Sequence, residues 1–177
     1  MRLGKDLIGK PIISITDGRL VGYAKDLYVN QDLYWITGLF TGSEGLISRK
    51  AKLIRRDDVI VFGIDAILVK NAEVETDNKE LDEADKWLRL EKLRGRGVDT
   101  PGGTKLGTIG DILVGEEGEI TGFALARVFV EGPIADKGTM PRDAIIDTGQ
   151  IDGLMTIDLI KVEQSHLNPQ EEEKGEL

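Results

Sequence analysis

An internal repeat constrains this chain more than any other feature, because each copy has to fold into a similar small unit. The triplet Ile-Thr-Gly at residues 36–38 recurs at residues 120–122, and Asp26 recurs as Asp111. The offset between matching positions is 84 at the triplet and 85 at the aspartates. Single-residue gaps in turns explain this drift. The shared order of the matches over most of each half predicts a duplication.

Each copy is predicted to form short β-strands. In the first copy, Asp17 and Gly18 stand between two apolar runs. This pair is a strong hairpin signal because glycine adopts positive φ without steric cost. Strands spaced by roughly 8–12 residues, with glycine-rich turns, are typical of small antiparallel barrels or sandwiches. We therefore expect a mainly β fold, with two small β-barrels in tandem formed by residues 1–70 and 93–162.

Two segments fall outside the repeat. Residues 71–92 are acidic, and their apolar residues recur at helical spacing. These apolar residues are Leu81, Ala84 and either Trp87 or Leu88. The spacing predicts a short amphipathic helix over residues 79–91, which would link the two barrels. Residues 163–177 are rich in glutamate and are predicted to form an acidic, disordered tail.

Both copies open with the same pattern, a Leu-x-Gly-Lys/Arg segment followed by Gly-x-x-x-Asp and an apolar strand. It occurs as Leu7–Lys10 with Gly22–Leu27 and as Leu93–Arg96 with Gly107–Ile112. This pattern resembles the PRC-barrel family, over roughly residues 5–70 and 93–160. The resemblance implies two PRC-type β-barrels of about six strands each, joined here by the helical linker.

The same resemblance bears on function. The PRC-barrel family includes the cytoplasmic domain of the photosynthetic reaction-centre H subunit and the C-terminal domain of the ribosome-maturation factor RimM. It is not known for a catalytic centre, and its members bind partners or modulate nearby machinery. The resemblance therefore implies a binding protein and supplies no catalytic residues for this chain.

Composition excludes several kinds of chemistry. The chain has no cysteine and a single histidine, His166. These counts exclude a disulfide framework, thiolate metal sites, a thiol nucleophile and a multi-histidine metal site within one chain. Residues 101–107 are glycine-rich, but Lys105 is followed by leucine rather than Ser or Thr, so they do not form a phosphate loop. Taken with these exclusions, the resemblance implies a protein that is not an enzyme, with no catalytic residue, no metal and no cofactor.

Hydropathy and cysteine usage bear on location. The most apolar stretch, residues 60–69, is interrupted by Gly63 and Asp65. It is about half of the ~20 residues that a transmembrane helix needs. A cysteine-free chain is compatible with a reducing compartment. We expect a soluble, cytoplasmic protein.

The net charge of −9 is unevenly distributed. Residues 1–70 carry +3, whereas residues 71–92, 93–162 and 163–177 each carry −4. Five cations lie within eight residues of the first copy, namely Arg49, Lys50, Lys52, Arg55 and Arg56. Such a segment is able to attract RNA or an anionic membrane surface. Acidic protein segments and a plain solvated edge strand are the other interpretations, and the negative charge of the whole chain disfavours nucleic acid.

Two adjacent aromatic residues complete the candidate site. Alternation along a strand predicts that Tyr34 and Trp35 face opposite sides. One side belongs to the core, and the other is either an exposed partner site or buried as well. Tyr34, Trp35 and the five cations are therefore the candidate partner-binding residues. The favoured function is a non-enzymatic protein–protein adaptor or regulatory module, and self-association is left open. The alternatives are an RNA- or ribosome-associated factor that uses the basic segment and, by resemblance, a reaction-centre-associated protein.

Overall fold

The structure is a computed structural model, and it describes residues 2–167. It is mainly β, with 45% strand and 19% helix, and it contains a sheet curled into a half-barrel. The β class predicted from the sequence is therefore confirmed. The chain divides into two compact units. The first unit consists of residues up to Lys92 together with Leu113–Ile120, and the second consists of Leu93–Ile112 and the residues from Thr121 onward.

The first unit is built on short strands. They are β1 (Arg2–Leu3), β2 (Pro11–Ser14), β3 (Leu20–Tyr23), β4 (Asp26–Val29), β5 (Ile36–Glu44), β6 (Lys50–Arg55), β7 (Val59–Phe62), β8 (Ile67–Val69), β9 (Thr76–Asp77) and β10 (Leu88–Arg89). Five of them form a sheet of order β10-β4-β5-β6-β9, and four form a second sheet of order β3-β2-β8-β7. The pairs within both sheets are antiparallel except β2 with β8, which is parallel.

Apolar side chains of both sheets close the core of the first unit. Ile12 and Ile67 are fully buried on the four-stranded sheet, and Leu27, Leu39 and Leu53 are fully buried on the five-stranded sheet. Full burial of one such side chain stabilises a fold by about 1.5–3 kcal/mol. These side chains come from strands far apart in sequence, and all five belong to the same compact unit.

The second unit follows helix α1 (Leu90–Leu93) and has one continuous strand order. Its elements are β11 (Gly97–Asp99), β12 (Lys105–Val114), β13 (Ile120–Val128), α2 (Pro133–Lys137), β14 (Thr139–Pro141), β15 (Ile145–Asp147), β16 (Leu154–Ile157) and α3 (Leu159–Leu167). The sheet runs in the order β14-β13-β12-β11-β16-β15. The last two residues of β12 belong to the first unit, where they pair with β1.

The two sequence copies repeat the same pattern of strands. In the second copy the parallel pair is β11 with β16, which corresponds to β2 with β8. Strands β3 and β4 together correspond to β12, so the order of the second sheet recurs across the two sheets of the first unit. Even loop hydrogen bonds match, because Gly9 N donates to Ala24 O and Gly95 N donates to Ile109 O, both at 2.7 Å.

The helix predicted over residues 79–91 is wrong. Residues 71–92 instead contribute β9 and β10 to the five-stranded sheet, with a 3-10 turn at Asp82–Lys86 between them. The apolar residues that suggested the helix are Leu81, Ala84 and Trp87, which pack on the cluster of Tyr28, Phe40 and Leu53. Their spacing of three fits the three residues per turn of a 3-10 helix better than the 3.6 of an α-helix. The predicted linker is therefore part of the first unit.

The predicted tail is also partly wrong. Helix α3 includes residues 163–167, and Val162 on this helix is fully buried. Asp158 precedes the helix, and its carboxylate accepts a hydrogen bond from Ile160 N at 3.0 Å, which satisfies a free N–H of the first turn. The remainder of the predicted tail, residues 168–177, lies outside the described residues.

Candidate functional site

Tyr34 and Trp35 are both exposed, at 51% and 41%. The prediction that they face opposite sides of a strand is wrong, because β5 begins only at Ile36 and both residues lie in the connection before it. The Asn30 carboxamide oxygen holds this connection by accepting hydrogen bonds from Tyr34 N at 2.8 Å and Trp35 N at 2.9 Å. Both aromatic side chains are therefore available at the surface of the first unit.

Arg56 is the cation that the structure brings to Trp35. Its guanidinium carbon lies 4.9 Å from the centre of the Trp35 ring, within the range of a cation–π contact. The Arg56 Nε and Nη2 atoms also donate hydrogen bonds to Glu117 O, at 3.0 and 2.7 Å. Trp35, Arg56 and Glu83 border an open groove of about 230 Å³. This groove is open to solvent, and its volume is below the roughly 300–1,000 Å³ that is usual for small-molecule sites.

The other four cations are spread along the β5–β6 hairpin. Lys50 pairs with Asp77 at 3.5 Å, and Lys52 pairs with Glu44 at 3.0 Å. Arg55 contacts Asp58 at 3.5 Å, and Arg49 lies in the exposed connection between the strands. The structure therefore does not gather the five predicted cations into one basic surface.

In the two lysine–carboxylate pairs, one group of each pair has a shifted pKa. The hydrogen bond to the Glu44 carboxylate raises the pKa of Lys52. Burial would raise the pKa of Asp77, but hydrogen bonds from Glu80 N and Lys79 N, together with Lys50, hold that pKa below its usual range. Each pair places a negative charge within a few ångströms of the lysine, so the segment presents less net positive charge to solvent.

The most unusual surface was not predicted from the sequence. One row of apolar side chains crosses the outer face of the four-stranded sheet, with one residue from each strand in direct register. In spatial order these residues are Leu20, Ile13, Leu68 and Val61. The side chains at the two ends of the row are about half exposed, with Leu20 at 49% and Val61 at 45%, whereas the central Ile13 and Leu68 are more deeply buried. We call these four residues the apolar row.

The inner face of the same sheet is apolar apart from Ser14, which is also fully buried. Ile12, Ile67 and Val69 point into the core and are fully buried. A sheet with one solvated face normally alternates apolar and polar residues along each strand. Tyr23 extends the apolar row, because it pairs with Pro11, two residues before Ile13, and it is 50% exposed. The four-stranded sheet therefore carries a second apolar face that the described residues leave open.

The second unit has a polar row at the same register positions. In the same spatial order its residues are Lys105, Asp99, Thr156 and Asp147. The Thr156 hydroxyl donates a hydrogen bond to Asp99 at 2.8 Å. The same backbone arrangement thus works with polar side chains, so the architecture does not require the apolar row. A comparison of the two copies by strand register would have found it, because all four apolar residues become polar.

No model of a known protein family matches the sequence, and no curated protein matches it significantly. The candidate surfaces must therefore be judged on their own chemistry. Among the described residues, no helix is long and apolar enough to cross a membrane.

Proposed function

We propose that this protein is a non-enzymatic adaptor of the PRC-barrel type, located in the cytoplasm, which binds a protein partner through the apolar row. One observation carries the proposal: four aliphatic residues stand in register on an open sheet face of the first unit, and the second unit replaces every one of them. The repeated strand order, with its parallel pair in each copy, supports the PRC-type assignment.

The dimensions of the apolar row fit a protein surface. Neighbouring strands are about 4.8 Å apart, so a row across four strands spans roughly 14 Å. A partner sheet or helix would pack on it at about 10 Å and exclude water from the half-exposed side chains. Covering the exposed half of Leu20 or Val61 would contribute about 1 kcal/mol each. Such a surface supplies affinity, while the charged rim sets orientation.

The rim carries charges of both signs. Arg19 contacts Asp17 at 3.3 Å and Glu73 at 3.4 Å, next to the β3 end of the apolar row. Lys70 contacts Asp58 at 3.5 Å, next to β7. An apolar centre with a mixed polar rim is the usual organisation of a protein interface. A protein is therefore the partner class that this face fits best.

The basic segment supports the alternatives less well. An RNA-associated factor would present its cations to solvent, but Lys50, Lys52 and Arg55 contact carboxylates of the same unit. Arg56 stacks on Trp35 and contacts Glu117. Among the described residues, no observation favours association with a photosynthetic reaction centre. The adaptor therefore remains the function that we propose.

Replacing Leu20 by lysine and Val61 by aspartate is expected to abolish recovery of the partner. These are the residues that the second unit carries at the same register positions, so the sheet is expected to tolerate them. The measurement is affinity purification from the native cell with quantitative mass spectrometry, and the partner should fall at least about tenfold against the wild-type bait.

Ile146→Asp provides the matched control, because Ile146 is 60% exposed on the second unit and lies outside the apolar row. This variant should recover the partner as the wild type does. Circular dichroism would establish that both variants are folded. Equal recovery by the doubly substituted bait would overturn the apolar row as the binding surface, and no specific recovery by the wild type would overturn the adaptor function.

A further inference from the structure

The β5–β6 hairpin ends in an exposed apolar tip. The two strands pair as far as Glu44 and Lys50, and residues 45–49 connect them. Leu46 and Ile47 in this connection are 100% and 102% exposed. No described part of the chain covers either side chain. We call residues 45–49 the hairpin tip.

The equivalent connection in the second unit, between β13 and β14, has a different structure. Between β13 and β14 the chain forms α2, and Ile134 on this helix is fully buried. Helix α2 packs against α3, so the connection folds back onto its own unit. The first unit has no such helix between β5 and β6, and its two aliphatic residues point into solvent. The difference shows that the hairpin architecture does not require an exposed apolar tip.

Cations stand directly behind the hairpin tip. Arg49 is exposed and follows the two aliphatic residues, and Lys50 begins β6. Lys79 donates a hydrogen bond from Nζ to Ser48 Oγ at 2.5 Å, which places a third cation beside the tip. Lys50 forms an ion pair with Asp77, so Arg49 and Lys79 are the cations best placed to contact an external anion. Aliphatic side chains in front of basic ones form the usual pattern of an interfacial membrane anchor.

We propose that the hairpin tip inserts Leu46 and Ile47 into the headgroup boundary of an anionic phospholipid bilayer, where Arg49 and Lys79 contact lipid phosphates. Two side chains on a projecting tip offer far less than the roughly 800 Å² that one partner buries in a standard protein interface. A bilayer requires no complementary shape, and it rewards apolar insertion and positive charge together. The anchor is small, so the expected binding is weak and reversible. The proposal is independent of the apolar row.

The first test is co-sedimentation of the full chain with phosphatidylcholine vesicles and with mixed phosphatidylcholine–phosphatidylserine vesicles at low salt. The wild type is expected to partition onto the mixed vesicles and not onto phosphatidylcholine alone. The double variant Leu46→Ser, Ile47→Ser should lower that partition at least about tenfold, because two aliphatic side chains no longer enter the boundary. Arg49→Glu should lower it at least about fivefold and should weaken its salt dependence.

Ile151→Ser is the matched control. Ile151 is 103% exposed in the connection between β15 and β16, but Asp152 follows it and no cation adjoins it in the sequence. Its replacement removes an equally exposed isoleucine and should leave vesicle binding unchanged. The variant Leu20→Lys, Val61→Asp should also bind vesicles normally, which separates this proposal from the adaptor function.

A direct measurement of insertion follows from Leu46→Trp. The emission of the new tryptophan should shift to the blue on mixed vesicles, relative to the wild type with its two native tryptophans. Absence of wild-type partition onto anionic vesicles at low salt would overturn the proposal. Equal partition of the serine double variant would do so as well. Loss of a protein partner from that double variant, with no vesicle binding by the wild type, would assign the tip to a protein instead.

Discussion

Replacing Arg89 by alanine is expected to lower the free energy of unfolding of the first unit by about 3–5 kcal/mol. The Asp26 side chain is 4% exposed and accepts a hydrogen bond from Arg89 Nε at 3.0 Å. The guanidinium carbon also lies 3.7 Å from the centre of the Phe40 ring. Without the guanidinium, the buried Asp26 carboxylate keeps the hydrogen bonds from Leu27 N and Glu91 N but loses its counter-ion, and the loss of that counter-ion accounts for most of the decrease.

The measurement uses the positions of the tryptophans. The chain contains two, Trp35 and Trp87, and both belong to the first unit. Denaturant unfolding followed by tryptophan fluorescence therefore reports on the first unit, and the midpoint at unchanged slope gives the change in free energy. The variant should unfold at a much lower denaturant concentration than the wild type.

Two further variants separate the buried charge from the lost packing. The double variant Arg89→Ala, Asp26→Asn should recover part of the stability, because no unpaired charge remains buried. In the second copy, the Asp111 side chain is also buried, but Arg94 lies 3.7 Å away, beyond hydrogen-bond distance, and is 37% exposed, so Arg94→Ala should cost clearly less than Arg89→Ala. A cost for Arg89→Ala below that of Arg94→Ala would contradict the explanation.

The repeat predicted that the two copies would have matching strands, but the apolar row could not be predicted because the strands are irregular. Bulges interrupt the register between Ile12 and Ile13 and between Val59 and Val61. A bulge shifts the alternation of side chains by one residue, so strict alternation assigns the wrong face beyond it. Ile60 and Val61, for example, are consecutive and both about half exposed. Only the register of all four strands shows which residues share the outer face.

The basic segment could be identified from the sequence, but the carboxylates that form ion pairs with its cations could not. Lys50 meets Asp77 because β6 pairs with β9, a strand that the sequence presented as part of a helical linker. Arg56 meets the turn that contains Glu117, which lies 61 residues away in the chain. Ion pairs of this kind depend on tertiary contacts rather than on local pattern. A cluster of cations in a sequence therefore predicts a charged surface only when its acidic neighbours are known.

Alanine substitutions at two equivalent glycines are expected to have very different effects on the stability of the two units. Gly107 pairs with Val98, and its counterpart Gly22 pairs with Ile12. A Cβ atom on Gly107 would lie 2.1 Å from Arg127 O, a backbone atom that has no rotamer to escape the clash. A Cβ atom on Gly22 would meet nothing within 4 Å. The difference follows from the strands: β12 continues through Gly107 beside β13, whereas β3 ends shortly after Gly22.

Gly107→Ala is therefore expected to destabilise the second unit by about 3 kcal/mol or more, at or above the upper end of overpacking costs, because backbone has to move. Gly22→Ala should be neutral or stabilise the first unit by up to about 0.5 kcal/mol, since alanine restricts the unfolded chain. Thermal unfolding followed by far-ultraviolet circular dichroism measures both variants. Because the second unit contains no tryptophan, hydrogen exchange of its amides would locate the loss in Gly107→Ala. Equal stability of the two variants would contradict the close approach of Gly107 to Arg127 O.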